Sequence, residues 1–313
     1  MNPFGSFWND ISINILKNRN TLYQLIFINV LVFVFVGLIE VIFTLFKLPM
    51  GIFDTFWRNL ALSALQAEFI QKPWTFITYM FMHSGFMHIL FNMLMFYWFG
   101  KIFQEYLRNE KLLSTYILGG IAGGLMYIFA YMTIPMLKGM QPYMVGASAS
   151  VIAIIVATAT LLPNTTLHLM FIGPVRLKYI AIVLVIIDVL LLKGDNTGGH
   201  FAHLGGAIYG FAYIKLMQNG IDIGHWLTQL ITLFRNAFKP NPKQKFKVHR
   251  GGKTSSGNFK ESAKKESQKS TAPPVKRESD QKMIDSILDK IAKSGYESLS
   301  ENEKDVLFKA SKK

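Results

Sequence analysis

Two polar residues stand inside apolar sequence: Ser148, in Gly146-Ala147-Ser148-Ala149-Ser150, and His203, in Ala202-His203-Leu204-Gly205-Gly206. A histidine within a membrane span is costly enough to count as a functional hypothesis. A serine beside it gives that hypothesis a chemistry, because an imidazole can take the hydroxyl proton as general base and return it to a leaving amine as general acid. Two such residues are enough for a dyad. The sequence offers no acid to make a triad: Asp188 reads as deep in the fifth apolar run, whereas Ser148 lies near the other end of the fourth. A soluble hydrolase elbow is excluded, since Ser150 replaces the last glycine of G-x-S-x-G and no strand-helix alternation surrounds it. A lone serine in a membrane helix otherwise packs or bonds to backbone.

The two residues can meet only if their helices pack closely. Gly206 and Gly210 follow His203 at i+3 and i+7, leaving one face nearly bare backbone. Ala149, Ala153 and Ala157 form a small ridge behind Ser148, so the faces are predicted to fit together. A third group is His83, His88 and Asn92. His88 and Asn92 are four apart, so both can point donors at one oxygen, which suits an oxyanion; the alternative is a polar pair joining neighbouring helices. His83 faces elsewhere and reads as a loop-orienting residue. A metal site from His83, His88, His200 and His203 is the rival use of these histidines, but no His-Glu-x-x-His occurs, and neither metal nor cofactor is expected. A transporter would call for an inverted repeat, and none is evident.

These residues need elements to carry them. Of 313 residues, 51% are hydrophobic, gathered in long blocks that read as a membrane protein. Apolar windows fall at 22–46, 86–103, 113–137, 145–162, 179–192 and 201–217, without the period-two alternation of barrel strands. The expected fold is all-α, a polytopic bundle of six transmembrane helices. The first run reads as a retained span rather than a cleaved signal. Lys17 and Arg19 precede it, Lys101, Arg108 and Lys111 follow the second run, and a basic tail follows the sixth, so both termini are predicted cytoplasmic. The connection from about Lys47 to Tyr79 carries Trp57 and Trp74 and is expected to lie on the bilayer. The loop from Lys193 to Gly199, with Gly194, Gly198 and Gly199, is expected to be mobile, with substrate entering beside the short fifth span.

The domain plan is a cytoplasmic segment over 1–20, the bundle over 21–220, a basic, largely disordered linker over 221–280 and a small helical hairpin over 281–313. Between Lys239 and Arg277 the chain has 12 Lys or Arg against two Glu, which contributes heavily to the net charge of +14. Anionic lipid is the partner expected for this tail, and nucleic acid is not, for want of a reading module. In the hairpin, Met283, Ile284, Ile287, Leu288 and Ile291 fall at helical spacing, Gly295 is a stop, and Ser298 or Ser300 can cap a second helix.

Taken together, His83 with His88 and Asn92, then Gly146-Ala147-Ser148, then Ala202-His203-Leu204-Gly205-Gly206 with Gly210, resemble the rhomboid family of intramembrane serine proteases, over about Leu22 to Met217. The resemblance implies a six-helix core and a water-filled cavity open to the external side. It assigns Ser148 as nucleophile, His203 as base, and His88, Asn92 and the Ser148 backbone amide as the oxyanion hole, with Gly146, His83, Gly206 and Gly210 in support. Substrates would be other membrane proteins, cut in or near a transmembrane segment, and the bacterial inner membrane is the expected location. The alternative within this resemblance is an inactive relative that binds membrane clients. Ala149 replaces a glycine common after the serine, and Ile152 replaces an aromatic common four residues on.

Overall fold

The computed structural model describes residues 20–139, 142–169, 173–194, 196–237, 277–295 and 298–311. Two compact units divide the chain, Met1–Lys243 and Gln244–Lys313. Residues 1–19 of the segment expected over 1–20 and most of the basic linker lie outside the described residues.

The first unit is a helical bundle. Helix α1 (Thr21–Leu45) is capped by Asn20, whose side chain accepts from the Leu22 amide. The connection after it holds α2 (Met50–Arg58), strand β1 (Leu62–Ser63) and the short α3 (Gln66–Gln71) and α4 (Thr75–Thr78). A single 3-10 turn, Tyr79–Phe81, leads towards α5 (Phe86–Tyr106). Helix α6 (Asn109–Thr133) ends before Pro135 rather than at 137, because Pro135 cannot continue its hydrogen-bond ladder. Strand β2 (Tyr143–Met144) pairs antiparallel with β1 just upstream of Gly146, and α7 runs Ser148–Leu161. A hairpin of β3 (Thr166–Leu169) and β4 (Gly173–Arg176) precedes α8 (Leu177–Leu190); α9 (Thr197–Gln218) and α10 (His225–Ala237) complete the unit.

By length and composition, α1, α5 and α6 are long and apolar enough to cross a membrane. Helix α7 has 14 residues, about 21 Å at 1.5 Å per residue. It is nonetheless the most enclosed, with every residue from Ala149 to Ala159 buried, so helices rather than lipid surround it. The packing is backbone against backbone. A Cβ at Gly206 or Gly210 of α9 would collide with the carbonyl oxygens of Ala149 and Ala153, and one at Gly119 of α6 with the Ala153 methyl. This is the fit predicted from small-residue spacing, extended to a third helix by the Gly-rich stretch of α6. Buried polar groups fasten the periphery: Asn29 of α1 donates to the Tyr116 hydroxyl at 3.2 Å, Tyr116 to the Met80 carbonyl at 2.9 Å, and Tyr79 to the Gly120 carbonyl at 2.7 Å. Helix α8 stands apart, with Leu177, Ala181 and Asp188 its buried residues.

Two expectations need correction. Residues 225–237, assigned to a disordered linker, form α10, which belongs to the first unit: Lys111 pairs with Asp222 at 2.6 Å beside it, and Thr228 donates to Ser114 at 3.3 Å. Its apolar residues Trp226, Leu230, Leu233 and Phe234 are exposed on one amphipathic face, a pattern that a count of basic residues over 221–280 obscures. The loop expected to reach Gly199 also stops earlier. Thr197 donates to the carbonyls of Leu192 and Gly194 and opens α9 four residues before the predicted start, so Gly198 and Gly199 are helical.

The second unit, Gln244–Lys313, contains two helices. Helices α11 (Arg277–Ser294) and α12 (Glu301–Ser311) are separated by Gly295 at φ 76°, and Ile287 and Leu299 are buried. Ser300, one of the two predicted caps, forms a capping box with Glu303: the Ser300 amide donates to the Glu303 carboxylate at 2.7 Å and the Glu303 amide to the Ser300 hydroxyl at 3.4 Å.

Candidate active site

Gly146 sets the start of α7. Its φ of 138° lies in the region that disfavours any side chain, and its amide donates to the Tyr79 carbonyl at 2.9 Å. The chain therefore turns sharply and enters the helix at Ser148. The first amides of a helix have no intrahelical acceptor, and the dipole makes that end positive, so the Ser148 N–H is available to an anionic oxygen. Ser148 is half-buried and lines a cavity of ≈ 800 Å³ together with His88, Asn92, Gly146 and His203. Ser150 is turned away, 1% exposed and against Gly120 of α6. Of the two serines, only Ser148 is presented to the cavity.

His88 sits on the first turn of α5. A Cβ at Gly146 would fall 2.9 Å from His88 Nε2 and 3.5 Å from Ser148 Oγ, so imidazole and hydroxyl flank the same glycine. The other ring nitrogen, Nδ1, is 3.0 Å from Ser84 Oγ. If the Ser84 hydroxyl donates there, Nε2 carries the hydrogen and aims a donor into the cavity. Asn92 gives one amide hydrogen to the His88 carbonyl at 2.8 Å, keeping the second for the cavity. His83 packs edge to face on His88 with ring centroids 5.1 Å apart, outside the cavity wall. Ile152, where an aromatic is common, is part of the wall. Among the described residues Ser148 Oγ has no hydrogen-bond partner, and it lines one cavity with His203.

The expectation that no acid is near is overturned. Asp188 Oδ1 lies 2.7 Å from His203 Nδ1 and 2.7 Å from His200 Nδ1. Helix α8 runs back towards the site, so its C-terminal end, not its start, lies beside the N-terminal part of α9. Asp188, His200 and Ser84 are the site residues that the sequence reading missed. An acid alone in the run from Leu177 to Leu192 was the available signal, since an ionisable group in a span is functional until shown otherwise. Asp188, His200 and His203 also hold three donor atoms within 4.8 Å of one another, but two hydrogen bonds already account for the cluster.

A bundle of apolar helices around a cavity lined by serine, histidine and asparagine defines an all-α membrane protein with the makings of a hydrolytic site. Residues 71–219 match the Rhomboid domain family, and residues 274–313 match a family of unknown function, DUF6576. RHOMBOID-like protein 12, mitochondrial, of Arabidopsis thaliana is 33% identical over 144 residues, 42% of this chain and 43% of that protein. Presenilin-associated rhomboid-like protein A, mitochondrial, of Danio rerio is 30% identical over 143 residues, 43% of this chain and 35% of that protein. Through residues 71–219, just under half of its length, the chain is similar to the rhomboid family. The matches span less than half the length of either relative. Both are named mitochondrial, so the expected bacterial inner membrane finds no support in them, and a membrane location is what stands.

Proposed function

We propose that the protein is an intramembrane serine endopeptidase acting on other membrane proteins. One observation carries the reading: Ser148 and His203 line a single cavity with His88 and Asn92, while Gly206 and Gly210 press α9 onto α7 beside the serine. In the mechanism this supports, Ser148 Oγ attacks the scissile carbonyl as His203 takes its proton. The Ser148 amide, His88 Nε2–H and the free Asn92 amide hydrogen receive the oxyanion. His203 then returns the proton to the leaving amine, and water, deprotonated by the same imidazole, releases the acyl group. Catalytic hydrogen bonds often tighten only with substrate bound, so the open Ser148 hydroxyl is compatible with this sequence of steps.

The peripheral α8 is the side on which a substrate helix would enter, and both termini would face the cytoplasm, with the basic stretch after α10 against anionic lipid. The competing reading, a rhomboid-like protein that binds clients without cutting them, retains the fold and predicts no turnover. A fluorogenic transmembrane substrate in proteoliposomes separates the two. Cleavage that disappears in both Ser148→Ala and His203→Ala is expected; absence of cleavage in the wild type, with fluorophosphonate failing to label Ser148, overturns the protease.

A further inference from the structure

We propose that Asp188 is a positioning residue that fixes the orientation and tautomer of His203, and that His200 holds Asp188 in place to do so. The proposal rests on the protease reading for its catalytic consequence, though not for its tautomer.

Asp188 is in an expensive place. It lies in the last turn of α8, where the helix dipole opposes a negative charge, and its side chain is 8% exposed among apolar residues. A carboxylate there needs donors, and it has two, His200 Nδ1 and His203 Nδ1, both 2.7 Å from the same oxygen, Oδ1. An ionised carboxylate can only accept. Each Nδ1 at that distance therefore carries the hydrogen, which leaves Nε2 of His203 as its bare nitrogen. That is the nitrogen required to accept a proton from Ser148. The same contact stops the His203 ring from turning about its side-chain bonds and holds negative charge next to the imidazolium that forms as the serine is deprotonated.

His200 stands three residues before His203 on one face of α9, so a single turn of that helix grips the carboxylate from two points. Without His200 the carboxylate would keep one donor and could swing away from His203. A purely structural pin between α8 and α9 would explain the burial equally well, and the test must move something a pin would not.

That test uses the full chain in proteoliposomes, with imidazole ¹⁵N labelling. In the wild type the NMR signature of His203 is expected to show Nδ1 protonated and Nε2 not. Asp188→Asn can offer an amide N–H to Nδ1, which favours the opposite tautomer. It is expected to give a mixed or inverted signature and a kcat lower by about 10² to 10⁴, with KM within about twofold, by analogy with the acid of the serine-protease triad. Asp188→Glu should recover part of that loss, and His200→Gln, which keeps a donor, should recover more than His200→Ala. An unchanged His203 tautomer and kcat in Asp188→Asn would overturn the proposal, as would activity lost to a chelator and restored by Zn²⁺, which would make the cluster a metal site. Absence of turnover in the wild type would sink the protease reading instead, and the tautomer measurement would still judge Asp188.

Discussion

Gly206 of α9 lies directly against the carbonyl oxygen of Ala149 of α7, with no room for a Cβ between them. Ala149 follows the candidate nucleophile, so this contact sets the spacing between Ser148 and His203. Gly206→Ala must push the helices apart, at a cost of about 1–3 kcal/mol for overpacking. The expected outcome is a lower unfolding temperature in detergent together with a loss of turnover of at least about tenfold in the fraction that stays folded, because reacting groups tolerate little misplacement. Gly220→Ala is the control for a generic glycine effect, since open space surrounds that position although its φ of 83° makes it strained. It should lower stability without a specific loss of turnover.

Gly146→Ala should act through the serine itself. The new methyl would have to tolerate φ of 138° and would press on the His88 ring at 2.9 Å. Both effects move the turn that delivers Ser148 to the cavity. Labelling of Ser148 by a fluorophosphonate is therefore expected to fall along with turnover, while binding of a transmembrane substrate persists. Labelling at the wild-type rate would show that this turn does not set the position of the hydroxyl.

Much of this arrangement was legible from residue type and spacing. Glycines at 206 and 210 and alanines at 149 and 153 predict the α7–α9 contact because four-residue spacing on two helices leaves two smooth stripes and nothing to hold them apart. Asp188 was not legible in the same way. Sequence order sets Asp188 deep in the fifth run and Ser148 near the other end of the fourth, whereas the end of α8 at 190 lies beside the start of α9 at 197, level with His200 and His203. Ser84 belongs to no periodic segment, and only the coordinates put its hydroxyl on His88. Helix α10 escaped because half of its surface is polar and its hydrophobic content falls below that of a span.

His88 and Asn92 are expected to contribute mainly to the transition state. Replacing either by alanine should lower kcat by about 10² to 10³ with a smaller effect on KM, the behaviour of an oxyanion-hole donor. Ser84→Ala tests the relay behind His88. Loss of the hydroxyl 3.0 Å from Nδ1 removes what selects the Nε2–H tautomer, so turnover should fall, though by less than in His88→Ala, which removes the donor outright. A wild-type rate in Asn92→Ala would assign that residue to its bond with the His88 carbonyl and nothing more.

The C-terminal hairpin carries its own pH dependence. The Ser300 backbone amide, then the Lys290 ammonium and the Ser300 hydroxyl, bind the Glu303 carboxylate and pull its pKa from 4.5 down to about 2. A carboxylate whose pKa is lowered by folding stabilises the fold above its unfolded value, and that contribution disappears as the pH falls through the folded one. The contact between α11 and α12 should therefore be unaffected from pH 8 to about 5 and weaken between about pH 4.5 and 2. Backbone chemical shifts of residues 300–307, followed by NMR across that range, should move towards unfolded values in the wild type. In Glu303→Gln, which keeps the cap but carries no charge, the same transition should be absent, and its persistence would assign the acid sensitivity to another carboxylate.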